Sequence, residues 1–265
     1  MSSKGVICNV WWETQGKRGS CEIASCLYYF NQKIGNKMEL IYFSDTCTGQ
    51  QRNLYFCMMC LYSVVNFPIQ VITHNYFERG HSQMEGDRVH STIETSTKKL
   101  EIYSPSDWIS AIKNAKKSIP KYEVKEITTE MIIDFKEFSD KTVTNRKKID
   151  DSGETLMWTK VHSFQYRKEA PNKIFFKYDY DEPYRSLTIT RGRRQNAPNI
   201  KDYSLKKLYT QKITITDAKY TDLMSLCKKG FIPEVHHRFY QQLPHSSQTG
   251  LESTVSDESE NEHDS

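Results

Sequence analysis

The chain has 265 residues, 37% hydrophobic and 12% aromatic, which is enough to build a core and excludes wholesale disorder. No apolar stretch approaches the ~20 residues of a membrane-spanning helix, and the opening Met1-Ser2-Ser3-Lys4-Gly5 leads into a strand-like run, not a secretory signal. The net charge of +4 hides a division: residues 244–265 hold six acids and no Lys or Arg, so the remainder carries 37 Lys and Arg against 27 acids (33 less six). A body of net +10 is compatible with a polyanionic partner such as DNA, and equally with ordinary solubility.

Seven cysteines, an odd number without framework spacing, read as reduced thiols of the cytosol or nucleus. In chain order, Val6 to Trp12 reads as a strand and Glu13 to Gly19 as the turn that ends it. Ser20 is then placed to cap a helix from Cys21 to about Lys33, with Ile23, Cys26, Leu27 and Phe30 recurring at helical spacing. Glu22 falls in its first turn, where the helix dipole favours an anion.

The run Leu40-Ile41-Tyr42-Phe43 reads as a central strand buried on both faces, in a sheet with helices on each side. Asp45 stands at its carboxyl end, where α/β sheets place their chemistry and where an Asp also caps or turns the chain. A second, strongly apolar helix is expected from Arg52 to Val65. Its Cys57-Met58-Met59-Cys60 lacks a second ligand pair for zinc and reads as core packing. Ile69 to Thr73 would be a third strand, and a further helix would run to about Leu100, with Glu85 and Asp87 near its start.

This alternation implies parallel strands with right-handed crossovers. It lets the acids of the first helix, the central strand and the last helix meet at one sheet edge. Clustered carboxylates bind Mg²⁺ or Mn²⁺, and two such ions ~4 Å apart drive phosphodiester cleavage. Helical spacing puts His81, Glu85, Val89 and Ile93 on one stripe facing the sheet, which favours Glu85 over Asp87 as the partner of Asp45 in holding a metal.

Beyond residue 100, Pro105-Ser106-Asp107 opens a helix with Trp108, Ile109 and Ile112 on one face. Ile127 to Phe138 suggests a short helix. Leu156 to Tyr180 and Ser186 to Thr190 suggest strands, with Asp181-Glu182-Pro183 as a turn. Thr216-Asp217 caps a helix that Gly230 ends, and Pro233 opens a last helix through Tyr240. Arg191, Arg193 and Arg194 lie in a Gln/Asn/Pro loop, as a solvated stretch or a phosphate contact. The adjacent His236 and His237 lack partner ligands and read as structural. The Ser/Glu/Asp-rich stretch from Pro244 onward reads as a disordered acidic tail.

Two ordered motifs carry a resemblance. Tyr42-x-Ser44-Asp45-x-Cys47-x-Gly49-Gln50-x-x-Asn53 is followed by Gly80-His81-Ser82-x-x-Glu85-x-Asp87-Arg88-Val89-His90. Together they resemble the paired signature, roughly YSD-C-GQN-N and GHTHMECDRVHS, of a family of transposon-derived animal proteins whose shared region is known as a domain of unknown function. Trp12-Glu13, Arg18-Gly19, Glu22-Ile23-x-Ser25-Cys26-Leu27, Asp222-Leu223-x-x-Leu226-Cys227 and Ile232-Pro233-x-x-His236 also match, so the resemblance covers roughly residues 6–243.

It implies an RNase H-like α/β core of the DDE/DDD transposase and integrase type over residues 1–100. An α+β region of the same family would follow over 101–243, and the tail over 244–265. Asp45 would be the strand acid and Glu85 or Asp87 the last-helix acid, with Mg²⁺ or Mn²⁺ as the ancestral cofactor. Gln83 and Gly86 depart from the family's usual His and Cys. The larger departure is that enzymes of this type carry their first Asp on a first strand with two more strands before the first helix. Here a single strand, Val6 to Trp12, precedes that helix. The core is therefore expected to be incomplete and inactive, unless Glu22 or Glu13 supplies the first acid.

Overall fold

A computed structural model describes residues 5–34, 37–78, 85–190 and 198–246. It is a mixed α/β structure, and its order begins with the expected alternation: β1 (Ile7–Val10), α1 (Ser20–Lys33), β2 (Glu39–Ser44), α2 (Leu54–Asn66), β3 (Val71–Tyr76) and α3 (Glu85–Thr97). There follow α4 (Pro105–Ala115), β4 (Glu123–Glu126), α5 (Phe135–Thr142), β5 (Ser163–Arg167), β6 (Lys173–Lys177), β7 (Arg185–Thr188), α6 (Asp217–Lys228) and α7 (Glu234–Gln241).

The pairing departs from the expected single parallel sheet. β1 pairs in parallel with β4 in a separate two-stranded sheet, while β2 and β3 join the larger sheet, ordered β2-β3-β5-β6-β7. Only β2 and β3 are parallel in that sheet; β5, β6 and β7 add antiparallel. β2 is consequently an edge strand, not a central one. Its Leu40 is buried, but Ile41 and Phe43 are 56% and 59% exposed. An unbroken apolar run suits a doubly covered strand, yet here every second residue of the run faces outward without a layer above it.

The core lies on the other face of the large sheet. Ile72, His74, Tyr76, Phe164, Tyr166, Ile174, Phe176 and Leu187 alternate inward along the strands and are almost fully buried. α2 covers them, with Phe56 through Leu61 buried all round, so Cys57 and Cys60 are core residues as read from the sequence. Burial pushes the Cys57 thiol up to about 12 and the Cys60 thiol well above its ordinary value. α1 and α5 pack against α2.

Local chemistry sets the boundaries. α2 starts at Asn53, whose side chain accepts from the Phe56 amide. Ser104 and Asp107 cap α4 reciprocally, with Pro105 in its first turn, and Thr216 accepts from Lys219 N to start α6. Gly230 ends that helix at φ +74°, a left-handed turn that glycine adopts without steric cost.

The helix expected over Ile127 to Phe138 is instead a 3₁₀ turn at Thr129–Met131, then α5, because Asp134 caps the Glu137 amide and restarts the helix there. The strands expected over Leu156 to Tyr180 are β5 and β6, separated by the turn at 168–172, which contains Pro171. The residue-100 boundary falls between α3 and α4, which pack on each other, and the large sheet and its core take residues from both sides of it. Among the described residues, no helix is long and apolar enough to cross a membrane.

Candidate functional site

At the carboxyl end of β2, Asp45 is exposed, and its carboxylate accepts a long contact of 3.5 Å from Cys47 N. That is a turn role: the following helix is capped by Asn53, whose amide also donates to Thr48 O at 3.0 Å. Much of the first motif thus shapes the loop between β2 and α2.

Beneath it lies a buried group of polar side chains that motif reasoning missed. Ser44 Oγ lies 2.8 Å from His74 Nε2. His74 is buried among Tyr42, Phe56 and Tyr76, and its Nδ1 has no hydrogen-bond partner among the described residues. The guanidinium of Arg52 donates to Thr159 O at 2.8 Å and lies 4.6 Å over the Tyr76 ring. Burial, then the charge of Arg52, depresses His74 to about 3, so it stays a neutral imidazole. The only advance signal for it was a His on the inward register of a strand.

Glu22 is 3% exposed, and its carboxylate is already engaged. Oε1 accepts from Lys17 N at 3.1 Å and from the Tyr209 hydroxyl, and Oε2 accepts from Gly19 N at 3.1 Å. Gly19, not Ser20, is the N-cap of α1. Burial, then the bond to Glu22, raises the Tyr209 hydroxyl well above the usual phenol range. The turn before α1 is tied into the molecule on its other side as well. Gln15 Oε1 accepts from Thr129 N and Oγ1 at 2.9 and 2.8 Å, and a Cβ on Gly16 would collide with Ile132. Glu22 therefore fastens a turn shared by the two halves of the chain.

Glu85 and Asp87 lie in the first turn of α3, both exposed. Val89 and Ile93 do mark the inner stripe of that helix, but it faces a small cluster with Val6, Cys8, Val10, Ile112, Ala115, Tyr122 and Val124. The stripe therefore packs on the two-stranded sheet and α4, not beside the end of β2 as its spacing suggested. His81 lies outside the described residues, as do Arg191, Arg193 and Arg194. His236 sits 3.7 Å from Asp107, and His237 Nε2 is 2.8 Å from Ile232 O, structural contacts for both.

A metal centre needs convergent donors. Among the described residues, no group of three or more His, Cys, Asp or Glu is placed to hold an ion. Glu22 is committed to two amides and a hydroxyl, Asp45 follows the edge strand β2, and Glu85 opens α3, which packs on the two-stranded sheet. An apolar groove of about 830 Å³ lies between β1, α1 and α3, lined by Val10, Ile23, Leu27, Val89 and Ile93. No family model, no curated protein and no solved structure matches this chain.

Proposed function

We propose that the chain is the remnant of an RNase H-like transposase or integrase core, Mg²⁺- or Mn²⁺-dependent in ancestry, and that it does not cut nucleic acid as it stands. The observation that carries this reading is the open unit β1-α1-β2. Two strands joined by a crossover helix ordinarily return to one sheet; here they belong to two. Among the described residues the outward edge of β2 has no partner strand, and the half-buried Ile23 and Leu27 of α1 line the apolar groove beside β1. The first strands of such a core, one bearing the first acid, would fill such a gap and stand next to Asp45. Glu85, or else Asp87, would be the remaining acid of the ancestral set.

Two measurements test it. Bonds from Gln70 N and Val71 N to Met38 O, and from Phe77 N to Ser44 O, show that alternate residues of β2 face β3. The amides of Ile41 and Phe43 therefore point outward and should exchange with solvent far faster than those of Leu40 and Tyr42. Equal protection would mean that the edge is already paired and would remove the argument. With Mg²⁺ or Mn²⁺ the protein should neither nick DNA nor transfer strands. Robust cleavage abolished by Asp45→Asn and by Glu22→Gln would instead establish an active nuclease with Glu22 as the substitute acid.

A second reading is a co-opted nucleic-acid-binding or protein-interaction module that cuts nothing, and the net +10 of residues 1–243 favours its nucleic-acid form. It requires DNA affinity that falls with salt by about −0.9 in log–log slope per neutralised phosphate. Replacing Arg191, Arg193 and Arg194 together should flatten that slope.

A further inference from the structure

Among the described residues, the large sheet carries its hydrophobic core on one face only. By register, Ile41 and Phe43 of β2, Thr73 and Asn75 of β3, Gln165 and Arg167 of β5, and Phe175 and Lys177 of β6 share the opposite face. α2 packs against β3 and β5 from the core side.

The face is a finished surface, with its polar groups bonded laterally. Gln165 Nε2 donates to Thr73 Oγ1 at 3.0 Å, and Arg167 Nε donates to Gln165 Oε1 at 2.7 Å. Ser163 Oγ donates to Asn75 Oδ1 at 2.7 Å and lies 3.0 Å from the Tyr184 hydroxyl. On this carpet, cations rest on rings: the Arg167 guanidinium is 4.1 Å over Phe175, and Lys177 Nζ is 4.7 Å over Tyr184. A second aromatic position lies at the β2 edge, where the exposed Phe43 meets Phe77 at 5.8 Å and 31°. The acids nearby are Glu39 at the start of β2, Glu169 at 4.0 Å from Arg167, and Asp151, which pairs with Lys173 at 2.9 Å.

We propose that this open face binds single-stranded nucleic acid. Aromatic and guanidinium planes stack on bases of any sequence, while adjacent cations follow the backbone. From β2 to β6 is three strand spacings, roughly 15 Å, so the two aromatic positions would hold separate bases of one strand. A rigid duplex keeps its bases stacked inside and offers no ring to either position. A second copy of this chain is the poorer occupant, because a two-fold face-to-face contact sets Arg167 and Lys177 against their own like charges. The proposal deepens the nucleic-acid-binding reading and is independent of the cleavage question.

The test is fluorescence anisotropy of the full chain with labelled dT12 and with a 12-base-pair duplex, at two salt concentrations. The single strand should bind more tightly. Phe43→Leu, at an exposed position that leaves folding intact, and Arg167→Gln should each weaken dT12 binding by about fivefold to a hundredfold. Lys228→Ala on α6 should leave it within twofold. Equal binding of strand and duplex, unaffected by Phe43→Leu and Arg167→Gln, would assign binding to the basic body at large and overturn the proposal. So would the absence of any binding at low salt. Concentration-dependent dimerisation in sedimentation, lost in Phe43→Leu, would make the surface a self-association face instead. None of these outcomes touches the amide exchange at Ile41 and Phe43 or the cleavage assay, so the transposase-remnant reading stands or falls separately.

Discussion

Two buried ionisable residues show how context assigns a role. Glu22 sits where a nuclease carboxylate would be useful, but its oxygens satisfy the Gly19 and Lys17 amides and the Tyr209 hydroxyl. Glu22→Gln should cost about 1–3 kcal/mol in urea unfolding, the penalty for buried donors left facing an amide. Mn²⁺ should leave the Tm of both proteins unchanged; a metal-induced rise that the substitution removes would make Glu22 a ligand. His74 gives a pH signature. Its folded pKa is lowered to about 3 by burial and then by Arg52, so below about 6.5 the unfolded chain takes a proton that the fold refuses. Stability is thus complete above pH 6.5 and falls as pH drops toward 3, by up to about 1.4 kcal/mol per unit. A Tm series from pH 7.5 to 5 should show this slope in the wild type and a shallower one in His74→Gln.

The edge strand β2 is where secondary structure and burial part company. Leu40 and Phe43 are near neighbours on one strand, equally apolar, yet one packs into the core and the other is 59% exposed. Leu40→Ala should cost about 2–5 kcal/mol, as for other large-to-small core changes. Phe43→Thr should stay within about 0.5 kcal/mol and should reduce aggregation, since a bare apolar edge invites pairing with another chain. Thermal unfolding of the two variants decides it; comparable losses would mean that Phe43 is covered in solution.

For the whole molecule, the consequence of the sheet order is that the first hundred residues cannot complete their own core. β3 pairs with β5, and the cluster containing Phe56 and Ile72 also contains Phe135, Phe164 and Phe176. A fragment of residues 1–100 should therefore lack cooperative unfolding and show dispersed amide resonances only when residues 101–246 are present. A folded, cooperative fragment would mean that the resemblance-based core is a unit of its own. The isolated fragment also tests the Glu22 turn, because Tyr209 and Thr129 would be missing from it.

Much was legible from the sequence because it is written locally. Helical periodicity and caps located α1, α2, α4, α6 and α7, the apolar Cys57 to Cys60 segment was core, and the β1-α1-β2-α2-β3-α3 order held. What the sequence could not determine is which strands are neighbours. β1 pairs with Glu123–Glu126, a Glu-Val-Lys-Glu strand with a single apolar residue, across more than a hundred residues. β3 turns its second edge to the antiparallel β5, with Asn75 opposite Ser163, instead of to a further parallel strand. An apolar run such as Leu40 to Phe43 states that burial is favourable on both faces, but cover depends on chain arriving from elsewhere. Only the tertiary structure decided that one face of this sheet stays open, that Asp45 ends an edge strand, and that Glu22 is spent on a turn. Those outcomes follow from long-range pairing, which local propensities do not encode.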